Sequence, residues 1–106
     1  MKIIHWMGTS YTDLCGFPEA VLKQAGFQLH LVQSGFDPTD WKPMSSIGRG
    51  VCEIRLHKEG EYRIIYLAKH EQSVYVLHAF QKKTQKTPKR DIDLAKKRFK
   101  DVLTLR

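Results

Sequence analysis

Apolar positions along this chain fall into six main stretches, and their spacing separates strands from helices. Lys2 to Trp6 is a short apolar run closed by Gly8, which predicts a strand. Ser10-Tyr11-Thr12-Asp13 has the S-x-x-D form that satisfies free amides at a helix start, so a short helix is expected over 10–16. Pro18 suits a first helical position, and Glu19 favours the positive end of the helix dipole. Val21, Leu22, Ala25, Leu29 and Val32 then recur at helical spacing, and Gly35 can end the run as a left-handed cap. Residues 18–34 therefore predict one amphipathic helix packed on a sheet, weakened a little by Gly26.

Residues 35–50 hold two Pro and three Gly, which is loop chemistry, with Trp41 and Met44 as the expected tethers to the core. Three strand signals follow, Val51 to His57, Glu61 to Ala68 and Ser73 to Gln81, rich in Val, Ile, Tyr and Leu. Their connectors, Lys58 to Gly60 and Lys69 to Gln72, are of hairpin length, which predicts an antiparallel meander. In the first of these strands Cys52, Ile54 and Leu56 alternate with Glu53, Arg55 and His57, so one face is apolar and the other ionic. The next two strands are apolar on both faces, as central strands are. A last helix opens at Thr87-Pro88 or Asp91, with Ile92, Ala95, Phe99 and Val102 on one side and Lys96, Lys97 and Lys100 on the other. The order β-α-α-β-β-β-α predicts a single α+β domain spanning 1–106. Its sheet is expected to be antiparallel, a short N-terminal strand plus a three-strand meander. Two N-terminal helices and one C-terminal helix lie on one side of it.

At 106 residues and 42% hydrophobic composition the chain supports one core. Cys15 and Cys52 form neither a C-x-x-C pair nor a disulfide framework. No apolar run approaches the roughly 18 residues of a membrane span, and the opening residues are too short for a signal peptide. A small soluble, cytoplasmic domain with reduced cysteines is expected.

The charge is segregated. Of 18 Lys+Arg and 11 Asp+Glu, residues 82–106 carry ten basic and three acidic, so the whole net +7 belongs to the last quarter of the chain. Such a block predicts a polyanionic partner, or else a solvated helix face.

Arg55, Arg63 and Lys82 come from three successive strand segments, and in simple hairpin register they converge. Converging cations without metal-ligand spacing suit phosphodiester binding or metal-independent cleavage, in which guanidinium and ammonium groups stabilise a pentacoordinate phosphorane more than the substrate. Glu53 and His78 are the candidate proton carriers, with His57 and Tyr66 behind them. Each has a purely structural alternative: cross-strand salt bridges for the arginines, a hydrogen-bonded core position for His78, packing for Phe80 and Tyr75. An exposed Phe80 beside Lys82 could stack on a base. Gly48-Arg49-Gly50 is a weak phosphate-loop signal, and no cofactor or metal motif is present.

These residues carry a resemblance. Val51-Cys52-Glu53-Ile54-Arg55, Tyr62-Arg63-Ile64-Ile65-Tyr66 and above all the H-x-F-x-K-K-T-x-K-T-P stretch from His78 to Pro88 resemble the phage-derived Gp49-like, HigB-type toxins of the RelE superfamily. The resemblance implies a RelE-like compact fold and a type II toxin–antitoxin system. It implies an endoribonuclease (an mRNA interferase) that cuts mRNA, in many members on the translating ribosome, and so inhibits translation. It also implies a cognate antitoxin, often a helix-turn-helix protein, in a hetero-oligomer. By position, Arg55, Arg63 and Lys82 match catalytic or phosphate-binding cations, and Lys83 and Lys86 match backbone-phosphate contacts, with Arg49 a further substrate-binding candidate. Some relatives use a C-terminal Tyr or His in proton transfer; residues 84–106 contain neither, which leaves Glu53 or a lysine as base. Two other readings remain open, a non-catalytic RNA-binding module and an antitoxin-binding interaction protein.

Overall fold

In chain order the computed structural model contains β1 (Ile3–Trp6), α1 (Ser10–Cys15), α2 (Glu19–Gln33), β2 (Trp41–Pro43), β3 (Val51–Leu56), β4 (Tyr62–Leu67), β5 (Ser73–Gln81) and α3 (Lys89–Leu103). The structure describes residues 1–68 and 71–105; Lys69 and His70 of the expected 69–72 connector, and Arg106, lie outside the described residues.

The strands form one five-stranded mixed sheet in the order β1-β5-β4-β3-β2. β3, β4 and β5 pair antiparallel, as their short connectors require. The all-antiparallel expectation fails at the edge, where β1 runs parallel to β5 with Ile3 opposite Ser73 and Trp6 opposite Val76. The two helices between β1 and the meander supply the long crossover that parallel pairing needs. A second correction lies in 35–50, read as loop: Trp41–Pro43 pairs antiparallel with β3 as an edge strand. Three residues ending in Pro43 give almost no periodic signal, and proline is tolerated at an edge. Met44 is buried there as expected, whereas Trp41 stays exposed.

The helices do not share one side of the sheet. Leu14, Val21, Ala25, Leu29 and Val32 of α1 and α2 pack on Ile54, Leu56, Ile64, Val74 and Val76. Ala95 and Val102 of α3 pack with Met44, Ile47, Val51, Ile65 and Leu77 on the opposite face. Covering both faces explains why β4 and β5 are apolar on both sides.

Local caps also differ from the reading. Ser10 is not the cap of α1: Thr9 takes that place, and the buried Ser10 hydroxyl donates to the Val76 carbonyl at 3.1 Å. The end of α2 follows its sequence signal. Gly35, at φ +89, donates to the Val32 carbonyl while Phe36 donates to Leu31, the paired 5→2 and 6→1 bonds of a Schellman motif.

Candidate functional site

One irregularity of pairing decides which side chains share a face. Ile65 lies opposite His78 but Tyr66 lies opposite Val76, so β5 carries one extra residue, a β-bulge at Leu77. Before it, Val74 and Val76 face α2; after it the alternation reverses, so that Leu77 and Phe80 both lie in the α3-side core. The bulge thereby turns His78, Phe80 and Lys82 to the face that already carries Glu53, Arg55, His57, Glu61 and Arg63.

Three rows result. Glu53, Ile65 and His78 form the inner row, and Arg55, Arg63 and Phe80 the middle one. His57 and Glu61 lead to Lys82, whose N–H donates to the Glu61 carbonyl at 2.7 Å. All of Glu53, Arg55, Arg63, His78, Phe80 and Lys82 are thus assembled on one side of three strands. Lys83 and Lys86 follow Lys82 in an exposed connector, and Arg49 is exposed on the turn before β3. Tyr66 points to the α2 side, where burial pushes its phenol pKa up.

The rows differ in access. Arg63 is 5% exposed and Glu53 1%. The Arg63 guanidinium donates to the Tyr62 carbonyl at 3.0 Å and to Glu61 Oε1 at 2.9 Å, while its Nε stands 3.7 Å from Glu53 Oε1. Glu53 Oε2 and Arg63 Nε are buried without a hydrogen-bond partner, a costly arrangement in a folded interior. Arg63 therefore faces carboxylates on two sides. The outer row is open. His57 contacts Glu61 through Nδ1 at 2.9 Å and Asp40 through Nε2, and Asp40 in turn accepts from Arg55 Nε at 3.2 Å. The hydrogen bond to Asp40, then that to Glu61, raises the His57 pKa, and the same contacts lower those of Asp40 and Glu61.

His78 sits in a different setting. Its Nε2 lies 2.6 Å from Asp91 Oδ1, its Nδ1 lies 3.3 Å from Arg98 Nη1, and its ring stacks on Phe80 at 5.0 Å. Arg98 can only donate, which assigns the ring proton to Nε2 and leaves neither nitrogen free. Arg98 also donates to the Leu77 carbonyl and to Thr9 Oγ1. This clasp borders a cleft of about 510 Å³ along the part of β5 that β1 does not reach, with Asp13, Tyr62, Phe80, Arg90 and Asp91 in its walls.

Residues 12–100 match the model of the family described as phage derived protein Gp49-like (DUF891). The chain belongs to this family. No curated protein matches the sequence. The Gp49-like family is associated with the toxins of toxin–antitoxin systems, and the match spans every residue of the three rows and the clasp beside them.

Sequence reasoning passed over two residues of the Gp49-like domain's clasp, Asp91 and Arg98. Both are buried, although in the sequence Asp91 reads as a helix opener and Arg98 only as one of the ten basic residues of 82–106. A signal existed: Asp91, Ala95, Arg98 and Val102 are spaced i, i+4, i+7 and i+11, a single helical stripe with charges inside it. Among the described residues no group of three or more His, Cys, Asp or Glu is arranged to hold a metal ion, and no helix is long and apolar enough to cross a membrane.

Proposed function

We propose that this protein is the toxin of a toxin–antitoxin pair, an endoribonuclease that cleaves mRNA, on the ribosome, and so arrests translation. The observation that carries the reading is the cross-strand row Arg55–Arg63–Phe80, followed outward by Lys82. Fixed strand positions hold the cations where a phosphate would meet them, while Phe80, expected as an exposed base platform, is 9% exposed, stacked on His78 and packed behind them in the core. Lys82 and Arg55, on the more open side, contact the scissile phosphate and stabilise the charge that grows on phosphorus. Arg63 acts from beneath, and Lys83, Lys86 and Arg49 hold flanking phosphates. A cognate antitoxin silences the activity by covering this cationic side.

Burial of Glu53, Arg63 and His78 favours a second reading, in which the same cations bind RNA without cutting it. One experiment separates them. The protein is induced in cells and the 5′ ends of mRNA are mapped, with Arg63→Ala and Lys82→Ala in parallel. Growth arrest with new mRNA ends, lost in both variants, is the expected result. RNA retention without new ends would leave the binding reading, and unimpaired cutting by both variants would remove these residues from the site.

A further inference from the structure

The outer row opens onto a second cavity. A groove of about 450 Å³ runs between α2 and the end of β3, with Lys23, Phe27, Thr39, Asp40, Arg55 and His57 in its walls. Its far side is fixed by a pair of hydrogen bonds between Gln28 of α2 and Thr39 of the 36–40 segment. Gln28 Nε2 donates to Thr39 Oγ1 at 2.9 Å, and the Thr39 N–H donates to Gln28 Oε1 at 2.7 Å. Phe27 is 59% exposed on this wall, and the His57 side chain is 51% exposed. The groove therefore combines an open aromatic face, a guanidinium and an imidazole, while the inner rows offer similar groups under cover. Asp40 sits on Arg55 Nε and on His57 Nε2 together, the two positions that the oxygens of one phosphate would take.

We infer that this groove is the subsite for one nucleotide of single-stranded RNA, with Phe27 stacking the base, Arg55 gripping the phosphate in place of Asp40, and His57 donating the proton to the departing 5′ oxygen. The inference rests on the endoribonuclease reading. In the step, the 2′ oxygen forms a bond to phosphorus and its proton leaves to solvent. The bond from phosphorus to the 5′ oxygen breaks, and His57 supplies the proton that makes the 5′ hydroxyl. The products are a 2′,3′-cyclic phosphate and a 5′-hydroxyl end, and His57 regains its proton from water.

The charged groups around His57 suit an acid. Asp40 faces it from the segment before β2, Glu61 from the residue preceding β4, Arg55 from the end of β3, and Lys23 from α2 across the groove; Lys58 and Glu59 follow it in the turn. In the free protein the two carboxylates in direct contact hold it protonated to higher pH than an ordinary histidine. With a phosphate seated in place of Asp40, the phosphate's negative charge and Glu61 do the same. Its solvent exposure lets it meet a substrate, which His78 does not.

The test uses the full chain and an RNA carrying the mapped cleavage sequence, supplied as a free single strand and on translating ribosomes, with rates taken from whichever form the wild type cuts. His57→Gln is expected to slow cleavage at least about 100-fold and to abolish the fall of wild-type activity on the alkaline side, with KM little changed. Phe27→Ala, at an exposed position, is expected to raise KM about 10-fold and retain kcat, the scale of one lost base stack. Wild-type rate and pH profile in His57→Gln, or an unchanged KM in Phe27→Ala, overturns the groove and leaves the endoribonuclease reading standing. A wild type that cuts no RNA, alone or with translating ribosomes, overturns both. Should His57→Gln fail to fold, the wild-type profile decides with Phe27→Ala: a profile without an alkaline fall removes His57 as the acid.

Discussion

Asp91 Oδ1 lies 2.6 Å from His78 Nε2, across the interface between the first turn of α3 and the strand beneath it. Both side chains are buried, and Arg98, one more buried charge two turns on, closes the other ring nitrogen. The arrangement fastens α3 to β5 by charge at one end, where the helix is otherwise held by apolar contacts at Ala95 and Val102.

Breaking this clasp removes a partner from a desolvated set. Asp91→Ala is expected to lower stability by about 3–5 kcal/mol, a large part of the roughly 5–15 kcal/mol of an ordinary domain. Urea denaturation monitored by circular dichroism measures it. A loss below about 1 kcal/mol would mean that the pair is not desolvated in solution.

Arg63 and Lys82 should separate stability from activity. Arg63→Ala strands the buried Glu53 carboxylate and is expected to destabilise the fold by about 3 kcal/mol or more. Lys82→Ala leaves no buried charge, so its stability should stay within about 0.5 kcal/mol of wild type. Its RNA-cleaving rate should nonetheless drop about 100-fold or more. Thermal melts paired with single-turnover cleavage read both quantities.

The outer row gives the fold a pH signature. The His57 pKa is raised from 6.5, chiefly by the hydrogen bond to Asp40, so its contribution is complete below about 6.5 and is lost as pH climbs through the raised value. Asp40 and Glu61 are lowered from 3.8 and 4.5, chiefly by His57, so theirs is complete above about 4.5 and is lost as pH falls through the lowered values. The cluster therefore stabilises most between about pH 4.5 and 6.5. Melting temperature followed from pH 4 to 9, roughly the span of these titrations, should show this shoulder, and His57→Gln should flatten it.

Gly48 provides a test of packing. A Cβ built there would stand 2.5 Å from the Phe99 ring of α3. Gly48→Ala is expected to cost about 1–3 kcal/mol through overpacking, whereas Gly26→Ala, with open space around it, should be neutral or slightly stabilising. Chemical denaturation of the two variants side by side gives the comparison.

Salt should report the basic connector and helix. Lys89 and Lys97 are paired with Asp93 and Asp101 on α3, while Lys82, Lys83, Lys86, Arg90, Lys96 and Lys100 take part in no ion pair among the described residues. Each that neutralises an RNA phosphate contributes about 0.7 to the slope of log affinity against log salt on single strands. Lys86→Ala and Arg90→Ala should each lower that slope by about this amount, and Lys97→Ala by less. Fluorescence anisotropy over a salt series measures it.

The strands and helices of this protein were written in period and punctuation. The alternation from Cys52 to His57 placed Ile54 and Leu56 in the core, and the doubly apolar runs placed β4 and β5 in the middle of the sheet. What escaped was set by partners distant in sequence. Nothing local tells β1 to run parallel, because the crossover of α1 and α2 decides it. Trp41–Pro43 is too short to show a period, and its strand character comes from pairing with β3. Strand membership announced that Arg55, Arg63 and Lys82 would lie near one another; their unequal burial depends on what packs above them. Asp91 and Arg98 were hidden because a charge on a helix is read as solvated unless its stripe is followed through two further turns.

The extra residue at Leu77 carries one more implication. Losing the codon for Leu77 itself would only restore unbroken alternation, with His78, Phe80 and Lys82 still on the face of Arg63 and Glu53. Losing the codon for Ala79 would keep the bulge and send Phe80 and Lys82 toward α2. Beyond Leu77, inheritance should forgive many changes of letter in this strand before it forgives a change in the number of letters.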